Sequence, residues 1–465
     1  MEGLTGGRRV PQLMLLGWSF MWLLEGCSGF GTPIVVLVPV LVRLGFPAGE
    51  AVTFMLLSNA CATAFGAVGT RIWYGLGTAV ADGGAADADA DLRRTGFLTA
   101  IGLTAASAVL MPAAVALATS RGELRRNAGF VALAVAGTCL PAVACAYASY
   151  EFPAVAGGLA GCAATAALVR FEVGLERRAV SEGTEADPDE EAGGGAKAAA
   201  AASPSSAALP PPSRAEALRS CLPVAGAVAL LLLTRGPGVG LKALLTSTTP
   251  RVSASLGTYG DVSLSAALVF GLDDVLRQPD VDFRLQTLYL PSAWLALAGA
   301  ATLATSSAVG LRGFPGAAGA ACRACAGRLG HAARALVGAL VFAELMVAGG
   351  DDSPASVAGA RLAGALGKGL GSFFAGSSTV SNLTFGPIQA AAAGDAGFDV
   401  PAMLALQTCG ASVGAAVCIF HIVAAGAVVS GPVDAGGIVR RLLPWVAAAD
   451  AACLGAVAAA QAIVR

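Results

Sequence analysis

Apolar runs of roughly 20 residues, the length that crosses a hydrocarbon core, recur along this chain between short polar stretches. Unbroken runs cover residues 96–118, 128–149, 152–170, 289–309, 331–349 and 440–463, and each predicts a membrane-spanning helix. Three other apolar regions, around 13–80, 221–235 and 354–430, are interrupted by Gly, Pro and polar residues. Inside a bilayer such interruptions survive only where the freed backbone groups are buried in protein or line a wet cavity. The interruptions are therefore where function is expected.

Composition agrees with this pattern. Of the 465 residues, 56% are hydrophobic and 13% charged, against about a quarter charged in a soluble domain. The formal net charge of −1 argues against a nucleic-acid partner, because a phosphate-binding surface needs an excess of Lys and Arg on one face. Arg121, Arg125 and Arg126 share one short loop, and Arg170, Arg177, Arg178, Lys197, Arg214 and Arg219 follow two spans later, so both regions are expected on the cytoplasmic side. Residues 236–288, with Asp273, Asp274, Asp280 and Asp282, then fall outside. Residues 179–216 are acidic, then Ala-rich, then Pro-rich, and read as a disordered cytoplasmic linker. They divide the chain into a first membrane half, 1–178, and a second, 217–465. The opening MEGLTGGRRV has the basic character of a signal-peptide n-region, but Glu25 and glycines follow in place of a small-residue cleavage site, so the segment reads as retained.

Two polar islands lie in the interrupted regions. The denser one, GSFFAGSSTVSNLTFGPIQ at 371–389, sets Ser377, Ser378, Thr379, Ser381 and Asn382 among Ala, Val and Leu. The other is EGCSGFGTP at 25–33, followed by SNACATAFG at 58–66. Ser58-Asn59 leads to Phe65-Gly66 and Ser381-Asn382 leads to Phe385-Gly386; the chain has no other Ser-Asn dipeptide. One such element in each half is the pattern of internally repeated carriers, whose half-helices meet near the midplane with their N-termini toward an anion. Packing of small residues between helices is the plain alternative, but it does not require Asn382 beside so many hydroxyls. The expected fold is all-α: a multi-pass membrane transporter of two pseudo-repeated halves, each contributing a re-entrant hairpin. Glycines at 26, 29, 31, 371 and 376 would supply its tight turns.

WLLEGCSGFGTPIVVLVPVLVRLGF, SNACATAFGAVG, LLLTRGPGVGLKALL, GSFFAGSSTVSNLTFGPIQ and ALQTCGASVG, in that order, resemble the L-lactate permease family of proton-coupled 2-hydroxy-acid symporters. The similarity runs from about residue 13 to the C-terminus. It implies uptake of lactate, and often glycolate, with protons across a plasma membrane, in a fold similar to that of the wider ion-transporter superfamily. The chain departs from the family in two places. Members usually carry further membrane helices before the EGxxGFG motif, where this chain has only a short lead, so a truncated chain is expected. After ALQTCGASVG the family tends to place a polar pair where this chain has Phe420-His421.

On this reading Ser377, Ser378, Thr379, Ser381 and Asn382 receive the carboxylate and 2-hydroxyl, with Gly29, Gly31, Thr32 and Asn59 lining the opposite side. Neutral donors suit a carrier, because a site that paired the anion with a fixed charge would hold it too tightly to release. Glu25 is expected to carry the proton, since a charged carboxylate inside a span is costly; capping backbone amides is its plain alternative. Glu344 has the same cost without a neighbouring motif. Lys368 either offers a positive charge to a substrate carboxylate or snorkels to the interface, the second being the favoured reading, and Arg71 carries the same ambiguity, with a helix-end marker as its plain alternative. His421 reads as a packed neutral imidazole. Cys322-x-x-Cys325, with His331 nearby, lacks the second ligand pair that zinc needs, so no metal and no cofactor are expected. The expected partners are the lipid bilayer, a small monocarboxylate and protons, with a homodimer left open. Two rivals remain: a sodium-coupled transporter of another organic anion, and a truncated non-transporting homologue or sensor. No paired catalytic carboxylates or Ser/His dyad at recognisable spacing points to an enzyme.

Overall fold

The computed structural model describes residues 5–29, 31–82, 87–176, 241–274, 283–290, 296–301, 377–426 and 433–464, with isolated positions elsewhere. The chain divides into two compact units, one of Met1–Pro210 with Arg334–Arg465 and the other of Pro211–Ala333.

The first unit is a helical bundle. Among the described residues, six helices are long and apolar enough to cross a membrane: Ala48–Trp73, Ala88–Ala118, Ala128–Ala148, Pro153–Arg170, Val400–Val417 and Ala435–Ile463. The predicted spans 96–118, 128–149, 152–170 and 440–463 are found among them. The predicted span 331–349 lies outside the described residues, as do Glu344, Lys368, Cys322, Cys325, His331 and the linker; about half of the predicted span 289–309 and most of the interrupted region 221–235 lie outside them too.

Helix starts follow from local chemistry. Asp87 caps Ala88–Ala118 by accepting from the Ala90 amide (3.1 Å), and Asp399 caps Val400–Gly414 by accepting from the Ala402 amide (3.2 Å), with Pro401 in the first turn. Ser120 accepts from Glu123 N in the short basic helix Arg121–Arg126 (3.1 Å), satisfying an amide that has no intrahelical partner. Ala88–Ala118 is 31 residues long, about 46 Å at the α-helical rise. Ala48–Ala62, Ala128–Ala148, Val400–Gly414 and Ala435–Val464 all pack on it. Close approach there depends on small residues: Gly102 admits Cys409 and Cys453, and Cys453 Sγ donates to the Gly102 carbonyl (3.3 Å).

The second unit contains an element that the hydropathy pattern does not announce, a four-stranded antiparallel sheet of β1 (Arg251–Ser255), β2 (Asp261–Ser265), β3 (Val269–Asp273) and β4 (Phe283–Gln286) in sequential order. Arg251 pairs with Ser265 and Ser255 with Asp261 across a turn holding Gly257 and Gly260 at positive φ. It falls in the stretch assigned to the outside. Its strands are four or five residues long, far below the length of an apolar span.

Candidate functional site

Both islands sit at helix breaks in the first unit. The chain runs helically from Arg9 to Ser28, turns at Gly29, and restarts as Thr32–Arg43. Gly29 has φ 65° and ψ −164°, a conformation essentially closed to other residues, and a Cβ there would lie 2.9 Å from the Ala67 amide nitrogen. The turn is therefore laid on the next helix where that helix is itself broken. Ala48–Ala62 passes through a 3₁₀ turn at Thr63–Phe65, and Ala67, Val68 and Gly69 then take left-handed φ of 49°, 54° and 67° before the helix resumes. A β-branched valine at positive φ is a genuine outlier, of the kind that persists only where its surroundings impose it. Those surroundings include the Trp73 indole, which donates to Val68 O (3.3 Å), and the Glu151 backbone against Gly69.

Glu25 and Arg71 meet at this break. Arg71 Nη2 forms an ion pair with Glu25 Oε1 at 2.9 Å, and Asn59 Nδ2 donates to Glu25 Oε2 at 3.0 Å. Glu25 is fully buried, with Asn59 at 3% and Arg71 at 4% exposure. The pair rests against Gly66, where a Cβ would fall on Arg71 Nη1 and Glu25 Oε1. Charges taken out of water need a partner and hydrogen bonds on their remaining oxygens, and both are present.

The second island opens the 18-residue helix Ser378–Asp395. Ser377 is its N-cap, its hydroxyl accepting from the Val380 amide at 3.3 Å. Asn382, one turn on and fully buried, donates through Nδ2 to the Arg71 carbonyl (2.9 Å) and to Thr408 Oγ1 (3.1 Å). Gln407 Nε2 donates to Ser381 Oγ at 3.1 Å. The amides of Tyr74 and Gly75 both run to Thr70 O and that of Leu76 to Ile72 O, which passes over Arg71 O and leaves it for Asn382. Among the described residues, four buried polar atoms here have no partner: Ser378 Oγ, Thr379 Oγ1, Asn382 Oδ1 and Gln407 Oε1.

Gln407 and Thr408 belong to a second broken helix. Val400–Gly414 gives way to a 3₁₀ turn at Ala415–Val417, an extended Cys418 and the helix Ile419–Gly426. The 3₁₀ turn of each broken helix packs on the first segment of the other. His421 Nδ1 donates to Ala415 O (3.2 Å), and its Nε2 edge faces Gly31, where a Cβ would lie 3.2 Å away.

The structure thus sets Glu25 with Asn59 and Arg71, lays Gly29 on Ala67 and Gly31 on His421, joins Asn382 to the Arg71 carbonyl and Ser381 to Gln407, and buries Ser378 and Thr379 in the first turn of the same helix as Asn382. Thr32 opens its helix with an exposed side chain and is not brought to the cluster, and the Ser377 oxygen is taken by its own helix. Arg71, Gln407 and Thr408 are the additions. The last two lie inside ALQTCGASVG, a stretch already singled out.

A family model described as L-lactate permease matches residues 1–458. The chain belongs to the L-lactate permease family. A Haemophilus influenzae protein, provisionally named an L-lactate permease, is 28% identical over 461 residues, 96% of this chain and 79% of its own length. Shorter matches are the glycolate permease GlcA of Escherichia coli, 44% identical over 61 residues, 13% of this chain and 11% of its own, and an L-lactate permease of Halalkalibacterium halodurans, 40% identical over 70 residues, 15% and 13%. No solved structure matches. Family and apolar helices together make the chain a multi-pass protein of the plasma membrane, and membership indicates a transporter rather than an enzyme.

Proposed function

We propose that this chain carries L-lactate, glycolate or a related 2-hydroxy monocarboxylate across the membrane together with protons. The observation that carries this reading is the set of unpartnered, buried polar atoms at the start of Ser378–Asp395 and on Gln407. A buried donor or acceptor left unsatisfied costs about 1–3 kcal/mol, so a concentration of them at one helix N-terminus points to a ligand. A helix N-terminus favours an anion through its free amides and dipole. The Ser378 and Thr379 hydroxyls can donate to a carboxylate. Both Asn382 amide hydrogens serve the protein, so its role shifts to accepting: Asn382 Oδ1 or Gln407 Oε1 can take the one hydrogen of the 2-hydroxyl, and the Ser381 hydroxyl keeps its own hydrogen. Asn59, Gly29 and Gly31 lie on the side of Glu25, the proposed proton carrier. The correspondence of the two broken helices supports a reading in which residues 1–178 and 217–465 are pseudo-repeated halves joined by a tether.

The test is uptake of radiolabelled L-lactate by proteoliposomes holding the full chain, under an inward proton gradient or an inward sodium gradient. Accumulation under the first alone is expected. Accumulation that follows sodium and ignores pH would make the chain a sodium-coupled anion carrier, and none under either gradient would remove the carrier reading.

A further inference from the structure

We propose that Arg71 is the cation that receives the substrate carboxylate, and that Glu25 is its resident counter-ion, displaced and protonated as the substrate binds. This rests on the carrier reading and specifies how its proton and its anion are linked. Arg71 touches both islands: its guanidinium pairs with Glu25 at 2.9 Å, and its carbonyl takes the Asn382 amide at 2.9 Å. It lies two residues past the left-handed break at Ala67–Gly69, a segment held away from regular helix. A guanidinium matches a carboxylate in shape, and a substrate carboxylate can offer it two oxygens where Glu25 presents only Oε1, its Oε2 being taken by Asn59.

The charge balance is closed. Without substrate, Glu25 is an anion, Arg71 a cation, and the pair is neutral. When the substrate anion takes the guanidinium, Glu25 would be left as an unpaired buried anion unless it gains one proton. With that proton on Glu25, substrate anion and Arg71 again sum to zero. One proton therefore enters with each monocarboxylate, and no net charge moves. Release is the reverse: Glu25 loses its proton and competes the anion off. A lone fixed cation would trap the anion, and Glu25 is the built-in competitor that frees it.

Other ionisable groups near Glu25 are few among the described residues. Of the elements packed on Met21–Ser28, Thr32–Arg43 carries Arg43 and Pro153–Arg170 carries Arg170, both exposed at helix ends. Glu50 lies in the first turn of Ala48–Ala62, more than two turns from Asn59. Cys27 is two residues on, Tyr150 and Glu151 flank Gly69, and His421 flanks Gly31. Arg71 is the one in contact with Glu25.

The experiment is calorimetric titration of the detergent-purified full chain with L-lactate, repeated in buffers of different ionisation enthalpy to count protons taken up. Wild type should take up one proton per lactate. Glu25→Gln should bind lactate with no proton uptake, and more tightly than wild type at alkaline pH. Arg71→Gln should weaken binding more than tenfold. The double variant Glu25→Gln/Arg71→Gln, which leaves no lone charge buried, should keep the wild-type unfolding temperature and still fail to bind. Lactate binding within twofold of wild type by the double variant, or a proton still taken up by Glu25→Gln, overturns the proposal. A wild type that binds no lactate overturns the carrier reading beneath it.

Discussion

Gly66→Ala is expected to separate Glu25 from Arg71 and to lower stability by about 3 kcal/mol, the scale of breaking a buried ion pair. A Cβ at residue 66 would fall on Arg71 Nη1 and Glu25 Oε1, with Arg71 Cζ 2.9 Å away. Gly66 has φ −67° and ψ 156°, an ordinary extended conformation, so the backbone accepts alanine and the whole effect comes from the occupied space. A guanidinium can usually swing aside at little cost. Here swinging aside leaves a fully buried carboxylate with Asn59 as its remaining described donor. Gly77→Ala is the matched control, since a Cβ there meets nothing within 4 Å. Thermal unfolding of the two purified variants in one detergent checks this: a clear drop for Gly66→Ala and none for Gly77→Ala is the expected outcome, and equal midpoints would mean that the pair is not held against Gly66.

Ser378→Ala and Asn382→Ala are expected to weaken lactate binding for different reasons, and stability tells them apart. Ser378 Oγ is buried and unpartnered, so replacing it with a methyl group removes a desolvated hydroxyl and should leave the unfolding midpoint level or slightly higher. Binding should fall by roughly tenfold, the value of one hydrogen bond to a charged group. Asn382→Ala removes the donor to Arg71 O as well as the one to Thr408 Oγ1. Those losses should cost about 2–3 kcal/mol of stability in addition to the binding defect. If Ser378→Ala binds lactate as wild type does, the start of this helix is not the carboxylate site.

The islands were legible because hydroxyls, amides and glycines stand out against an apolar background, and Gly29 needs its positive φ wherever the chain turns. Arg71 was not. A single cation after Gly69 has the same local pattern whether it snorkels at a helix end or pairs in the core. What decides between them is the break at 67–69, which the packing of Gly29 and of the Tyr150–Glu151 backbone imposes from other parts of the chain. Gln407 stood inside a noted motif, yet its role depends on which neighbour takes its amide hydrogens. The division of donors and acceptors within the second island was out of reach for the same reason: that Asn382 spends its donors on Arg71 and Thr408 is a tertiary fact. The antiparallel sheet escaped because its strands are short and alternate too weakly to show beside runs of twenty apolar residues.

The most direct measurement is a calorimetric comparison of L-lactate with propionate on the purified wild-type chain at one pH. The two anions present the same carboxylate to Ser378, Thr379 and Arg71, and they differ in the 2-hydroxyl. Among the described residues Asn382 Oδ1 and Gln407 Oε1 are acceptors without a donor; a carboxylate can satisfy neither, whereas a hydroxyl can donate its one hydrogen to either. Lactate should therefore bind about tenfold more tightly than propionate, because the analogue without the donor forgoes one hydrogen bond to a buried, unpaired oxygen. Equal affinities for the two would contradict a site built for a 2-hydroxy acid.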